Sequence, residues 1–443
     1  MTMTTLPIGI YGVSTQSGGA FLADFLSKGL TVYGYARDTK HGRNAVSDMQ
    51  DAQGIYLERP PNTIGELSRL IPFGASEIGH SIDKLVAHAQ LIVVAHPAQH
   101  LEETATLLKA AGILERRIPL ILSPPRTIAA PYIWEILGDD YPLVCFSTSP
   151  YSSKSIAGGV YIKRRKRTWM SSLEGNITDE QAAAVSQIFP QALFNRIAAT
   201  TSLGNIGAIF HPTTYLLNYN AIQTREAQGL PYSFYMEGIA DQPEVGAQIE
   251  AIDQIRLRIA HRLGLPVFGL REEPREDDWA RIMGRLRNAE ARLDEADIGP
   301  LRQLRHDCLS EIHNAVVSAQ HWLDYSYGVQ RISGESLSNT IGRTVPYQHR
   351  SVPQQRYLDE DIPTGLVPLE ALAKRLELDH SPITRILDIY ETTFHRDPRE
   401  TGRNLRTFST EKLLLYLKGH THFNNNGIGK QPCNEGHNYG RTR

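Results

Sequence analysis

Two short stretches of this 443-residue chain carry side chains suited to moving protons and binding anions. Arg356 stands five residues before Asp361, the last of the consecutive acids Asp359-Glu360-Asp361, just ahead of Pro363. Far upstream, His211-Pro212 interrupts an otherwise apolar, small-residue segment from Leu203 to Asn218. Histidine exchanges protons near neutral pH because its unperturbed pKa is about 6.5, and arginine's planar fork can grip a carboxylate. The two stretches read as halves of one active site. A plainer reading stands beside it: His211 as a satisfied core histidine, and Arg356 to Asp361 as a solvated charged turn with a capping acid.

The N-terminus offers a place for a redox cofactor. Gly12-Val13-Ser14-Thr15-Gln16-Ser17-Gly18-Gly19 leads from an apolar strand into a helix, and a small-residue turn there lets backbone N–H groups approach a pyrophosphate. Against G-x-G-x-x-G only Gly12 matches, with Ser14 and Ser17 at the second and third positions. The loop therefore also fits any strand-to-helix turn. Gly12, Ser14, Thr15, Gln16 and Ser17 are the candidate phosphate contacts. Beyond the second strand, Arg37 and Lys40 would accept a 2′-phosphate, whereas Asp38 would chelate ribose hydroxyls. The order favours NADP and keeps NAD open. His96, after the third clear strand, either lines the nicotinamide side or is an ordinary polar loop residue, and Ser123-Pro124-Pro125-Arg126 falls where such folds place ligand-contacting turns.

Further stretches carry weaker signals. Tyr151-Ser152-Ser153-Lys154 follows the fifth strand at the expected mouth of a cleft, so Tyr151 is a candidate substrate contact. The basic run Lys163 to Arg167 has little aromatic interleaving and reads as a solvated edge or loop, not a nucleic-acid site. His321 to Gly328 has polar aromatic character suited to a cleft wall, with Trp322 as core. His420 and His422 form a His-x-His without further ligands, so no metal is expected.

Positioning such residues requires a scaffold. Ile8–Gly12, Thr31–Ala36, Leu91–Ala95, Pro119–Leu122 and Leu143–Ser147 read as strands, alternating with helical spacing over Ala20–Leu26, Ile82–Ala89 and His100–Ala111. That alternation predicts an α/β, Rossmann-type doubly wound parallel sheet. After about residue 200 helical patterns dominate. The clearest joins Val245, Ile249, Ile252, Ile255, Ile259 and Leu263 in one stripe closed by Gly264. Asp278–Arg292, Pro300–Trp322, Leu369–Leu376 and Pro382–Thr392 are further helices. The expected organisation is a dinucleotide-binding domain over 1–200, a mostly α-helical C-terminal domain over 201–420, and a loose tail over 421–443.

Composition narrows the class. A length of 443 residues exceeds what one core usually serves. Hydrophobic content of 41% and charged content of 21% are those of a soluble globular protein. A net charge of -2 argues against general affinity for nucleic acid or anionic membranes. Cys145, Cys308 and Cys433 are an odd number without metal-type spacing, which reads as reduced and intracellular. With no signal peptide or membrane span visible, a cytoplasmic protein is expected.

The combination resembles a known family. An α/β nucleotide domain, then His211-Pro212 with Leu216 and Asn218, then Arg356-Tyr357, Glu360-Asp361-Ile362-Pro363 and Gly365-Leu366-Val367-Pro368, is similar to the octopine/nopaline (opine) dehydrogenases in order and spacing over most of the chain. The serine-rich phosphate loop and a segment from Leu270 to Ala296 depart from the pattern. The resemblance implies an NAD(P)H-dependent oxidoreductase that couples an amino acid to a 2-oxo acid and reduces the imine. It implies His211 as the catalytic histidine, Asp361 as the aspartate that orients it and Arg356 as the substrate arginine; by their own character Asp359 and Glu360 read as surface acids. A hydrogen-bonded carboxylate would fix the histidine tautomer, and hydride transfer would belong to the cofactor. The partners expected are small molecules, with a homodimer compatible. Alternatives are a ketopantoate-reductase-like or hydroxy-acid dehydrogenase that needs no amine, and a non-catalytic dinucleotide-sensing protein.

Overall fold

The computed structural model describes residues 6–263, 332 and 334–418, except 62, 64–66, 75–76, 167–168, 196–197, 205 and 354–355. The five apolar runs form β1 (Ile8–Tyr11), β2 (Val32–Tyr35), β6 (Leu91–Val94), β7 (Leu120–Leu122) and β8 (Leu143–Phe146). Seven more strands accompany them: β3 (Gly54–Glu58), β4 (Arg69–Pro72), β5 (Ile78–Gly79), β9 (Tyr151–Ile156), β10 (Gly159–Arg165), β11 (Trp169–Glu174) and β12 (Ala192–Asn195). The main sheet runs β12-β11-β8-β7-β6-β1-β2-β5 and is parallel except where β11 meets β8. Because β1 lies between β2 and β6, the winding reverses there. That reversal opens a crevice beyond the carboxyl ends of β1 and β6.

Strand residues alternate between two cores, as the pleat requires. Ile8, Ile10, Leu91, Val93, Ile121 and Val144 pack toward helix α1 (Gln16–Ser27). A second sheet, β4-β3-β10-β9, closes over that helix, so α1 lies between two sheets. Ile92, Val94, Leu120, Leu122, Leu143 and Cys145 face the other way. They meet helices Ile82–His88, Leu101–Ala110 and Ala129–Leu137 in a core continuous with Ile249, Ile252 and Ile259.

The predicted apolar stripe forms helix Pro243–Leu263, with Val245, Ile249, Ile252, Ile255, Ile259 and Leu263 all buried. Leu369–Leu376 and Pro382–Thr392 fall in helices Val367–Arg375 and Ser381–Phe394. The stop at Gly264, the stretch Leu270–Ala296, the helices expected at 278–292 and 300–322, the aromatic stretch 321–328, Cys308, Cys433 and the tail with His420 and His422 lie outside the described residues.

Candidate active site

His211 sits on helix Gly207–Leu217. Pro212 follows it inside the helix and removes the N–H that the carbonyl of Ala208 would otherwise accept. Ala208 and His211, three residues apart, share one face. Against that face pack helix Arg356–Asp361 and the wide π-helical turn Ile362–Leu366. A side-chain carbon on Gly365 would lie 2.7 Å from Cβ of Ala208, so only glycine permits this approach. Four residues before Gly365, Asp361 meets His211. Its Oδ2 is 2.9 Å from His211 Nδ1, and Asp361 is 0% exposed. A carboxylate only accepts, so Nδ1 carries the proton and Nε2 is left to face outward. The Tyr357 ring stands edge-on to His211, with centroids 5.0 Å apart.

Successive helical residues point about 100° apart, and the three acids separate accordingly. Asp359 turns outward to Arg396 at 2.7 Å. Glu360, expected to be a surface acid, is instead largely enclosed. It accepts from the N–H of Ala98 at 3.2 Å and lies 3.0 Å from Arg126 Nε. The same Arg126 Nε lies 3.2 Å from Asp361 Oδ1. Burial alone would disfavour the Arg126 cation, but the charges of Asp361 and Glu360 outweigh it and raise its pKa. Ala98 follows β6 and Arg126 follows β7, so the His211–Asp361 pair stands over the carboxyl edge of the main sheet, beside the crevice.

Arg403 locks this arrangement from below. It is 3% exposed, with Nε on Glu102 at 2.7 Å, Nη1 on the carbonyls of Pro125 (2.7 Å) and Thr127 (3.2 Å), and Nη2 on the carbonyl of Ala98 (3.0 Å). The loops after β6 and β7 are thus fastened to the helical region by Arg126 and Arg403.

The phosphate loop fits a dinucleotide. Gly12 adopts φ +97°, and a side-chain carbon on Gly18 would lie 2.1 Å from the carbonyl oxygen of Gly12. Gly18 therefore supplies the close strand–helix contact that the pattern assigned to Ser17, one residue earlier. Thr15 caps α1 by accepting from the N–H of Gly18 and donates to the carbonyl of Ala95 across the crevice. The first turn of α1 contains no acid, so its positive end is available to a phosphate.

Residues 197–281 and 300–394 match the family described as NAD/NADP octopine/nopaline dehydrogenase, alpha-helical domain. The chain is 24% identical over 413 residues to an opine dehydrogenase of Arthrobacter sp. (strain 1C), spanning 90% of this chain and 93% of that protein. The chain is thus similar to the opine dehydrogenases over most of its length. Its fold is similar to that of octopine dehydrogenase in complex with NADH and agmatine, with a TM-score of 0.66 at 14% identity over 95% of this chain and 100% of that one. NADP+-bound yersinopine dehydrogenase gives 0.59 at 15% identity over 94% and 98%.

At the cofactor end, Arg37 pairs with Glu103 at 3.1 Å and Lys40 is exposed at the start of helix Lys40–Asp51. His41, not singled out from sequence, lies 3.0 Å from the carbonyl of Ser14 in the phosphate loop. His96 packs beside Gly12, but its ring nitrogens are already engaged. Nδ1 donates to the carbonyl of Pro97 (2.9 Å) and Nε2 accepts from the hydroxyl of Thr104 (2.7 Å). Burial, helped by the nearby His100 and Arg37, pushes its pKa down to about 4. His96 thus offers a bound ring its edge or face, not a hydrogen bond.

A neutral His96 implies acid sensitivity. Its folded pKa lies below the unfolded value of about 6.5, so its stabilising contribution is complete above that value and fades as pH falls toward 4. Denaturation at several pH values should show a loss on the order of 2 kcal/mol across this window that His96→Gln removes. An identical acid loss in the variant would assign the sensitivity elsewhere.

Tyr151 is placed differently from the expectation. Its hydroxyl donates to Asp24 Oδ2 at 2.8 Å and its ring lies edge-on to Phe21, which makes it a packing residue between β9 and α1. It lines a cavity of about 690 Å³ shared with Asp24, Lys28, Arg165 and Trp169, none of which belongs to the His211 or Asp361 helices. The basic run also departs from a uniformly solvated edge. Lys163 and Arg164 are exposed, but Arg165 reaches Asp24 at 3.0 Å and Lys166 donates to Thr148 Oγ1 at 2.7 Å. Helix Arg356–Asp361 begins at the expected substrate arginine, whose side chain lies outside the described residues.

Proposed function

We propose that this protein catalyses NAD(P)H-dependent reductive condensation of an amino acid or other amine with a 2-oxo acid, giving a secondary amine dicarboxylate. The observation carrying this reading is the 2.9 Å contact between His211 and the fully buried Asp361 at the carboxyl edge of a dinucleotide-type sheet. The match to the family's alpha-helical domain supports it, as do similar folds whose structures hold NADH with agmatine, NADH with L-arginine and NADH with pyruvate. In this reading the chain divides near residue 200 and the reaction occurs at the junction. The protein works in the cytoplasm, and no described helix is long and apolar enough to cross a membrane.

His211 is assigned the proton steps. With Nδ1 held by Asp361, Nε2 gives a proton to the hydroxyl leaving the addition product of amine and oxo carbon, and water departs as the imine forms. Asp361 stabilises the imidazolium required for that step. Arg356 is assigned the oxo-acid carboxylate, fixing the neighbouring carbon toward the cofactor. The bound dihydronicotinamide supplies the hydride. No step requires a protein nucleophile.

Reduced-cofactor consumption should be followed over a matrix of amino acids and 2-oxo acids, with mass spectrometry of the product. The expected result is a secondary amine formed only when both substrates are present. Consumption without amine would replace this reading by 2-oxo acid reduction, and binding without any consumption by a sensing role. NADPH is proposed as the preferred cofactor because Arg37 and Lys40 flank the 2′ position. The Arg37–Glu103 pair is half-exposed and weak, so it yields to a phosphate. Arg37→Ala should weaken NADPH by about tenfold and leave NADH nearly unchanged. Equal losses for both would remove this assignment.

A further inference from the structure

Asp361 presents two oxygens to two partners. Oδ2 faces His211 at 2.9 Å, and Oδ1 faces Arg126 Nε at 3.2 Å. Arg126 reaches this point from the opposite part of the fold, on the loop after β7, with its backbone in the left-handed region at φ +62°. An arginine pays a conformational cost there, so tertiary contacts must hold it. Those contacts are Glu360 at 3.0 Å and Asp361, with side-chain exposures of 12% and 0% around an Arg126 side chain at 10%.

We propose that Arg126 is a positioning residue for the His211–Asp361 pair, orienting Asp361 and cancelling one of the two negative charges that Glu360 and Asp361 bring to His211. The inference rests on the proton role proposed for His211. Without Arg126, Asp361 would meet the imidazole with the Glu360 carboxylate nearby left unbalanced, in a cluster whose side chains are 0–21% exposed. The imidazolium would then be favoured, and neutral His211 would form only at higher pH. With Arg126 in place, one carboxylate is balanced by the guanidinium and the other by the imidazolium when it forms.

The other groups facing this cluster do not substitute for Arg126. On the same helix, Tyr357 offers its ring. From the loop after β6, His96 and His100 feel the charge of Glu360, and burial lowers the pKa of each. Arg403, below the loops, is directed to Glu102 and three carbonyls. On the helix packed behind His211, Arg256 pairs with Asp253 at 2.6 Å, a locally balanced charge.

The test is the pH profile of kcat for Arg126→Met, Glu360→Gln and the double variant in the full chain, with thermal midpoints in parallel. R126M should lower kcat at neutral pH by at least about tenfold and move the profile upward by about one pH unit, with little change in cofactor affinity. E360Q should move the profile downward. The double variant removes one charge of each sign, so its profile should return close to the original position. An R126M profile that falls in height without moving, or a double variant whose profile stays where that of R126M lies, overturns the proposal. Should R126M fail to fold, the direction of the E360Q shift decides: downward supports the proposal, and an unmoved profile overturns it. The same shifts should appear in an NMR titration of the His211 ring, a readout that survives even if no substrate pair is turned over. Absence of turnover in the native chain would then count against the proposed reaction, while the ring titration would still decide the role of Arg126.

Discussion

Replacing Asp361 with Asn is expected to lower kcat roughly 10³- to 10⁴-fold while leaving cofactor affinity within a few-fold of the native value. The size of the effect follows from what surrounds the side chain. An asparagine preserves the shape, so Gly365 still seats against Ala208 and the helix still packs. Its two ends, however, are no longer equivalent. The Arg126 cation lies 3.2 Å from the Oδ1 position, so its charge draws the amide oxygen there and the amide nitrogen is left facing His211 Nδ1. A donor opposite Nδ1 forces the ring proton onto Nε2, the wrong tautomer for accepting a proton, and the imidazolium loses its counter-charge. Steady-state kinetics combined with cofactor fluorescence titration separates the two quantities. Turnover within tenfold of the native rate would exclude Asp361 from the mechanism.

Arg403→Met should produce the largest loss of stability, about 3–5 kcal/mol. Methionine fills much of the volume but returns none of the hydrogen bonds. The carbonyls of Pro125, Thr127 and Ala98 lose their donor, and Glu102 loses its counter-ion at 2.7 Å. These groups lie on the loops after β6 and β7 and the helix that follows, the segments presenting Ala98 and Arg126 to Glu360 and Asp361. Loosening them should therefore lower kcat as well as the denaturation midpoint. Arg403→Lys keeps a charge for Glu102 but cannot span the carbonyls, and should fall between native and methionine. A methionine variant with native denaturation behaviour would show that the clasp carries no net stabilisation.

Much of the scaffold was legible because its core strands are buried on both faces. Ile8–Tyr11, Leu91–Val94 and Leu143–Phe146 are wholly apolar or small, and such runs between helical patterns have few other interpretations. The second sheet was hidden by its composition. β9 reads Tyr-Ser-Ser-Lys-Ser-Ile and β10 ends in Lys-Arg-Arg, so in these two strands only Tyr151, Val160 and Ile162 carry the buried face that covers α1. Tyr151 was accordingly placed at a cleft mouth when it belongs to that sheet.

In the site, His211 and Asp361 were found through their surrounding motif, and the structure brings them together. Arg126 was named only within a ligand-contacting turn and Gly365 only within a motif, and Arg403 was not singled out, because their roles arise from contacts made across much of the chain. Glu360 was misread because three consecutive acids look solvated, although helical geometry sends each to a different neighbour. Gly18 escaped because the pattern was counted one residue short of the real contact with Gly12.

The crevice and the His211–Asp361 pair are assembled from different spans of sequence. All twelve strands among the described residues lie before residue 196, whereas the His211–Asp361 contact joins residues 150 apart. Chains generally fold from the N-terminus as they are made. A ribosome-bound intermediate that has extruded the sheets therefore possesses the phosphate loop and its helix but no proton donor pair, and its loops after β6 and β7 await Arg403. Such a half-made molecule can bind the dinucleotide as a ligand that stabilises it, yet cannot oxidise it. Catalysis switches on only when the late-emerging Asp361 docks against a helix synthesised long before.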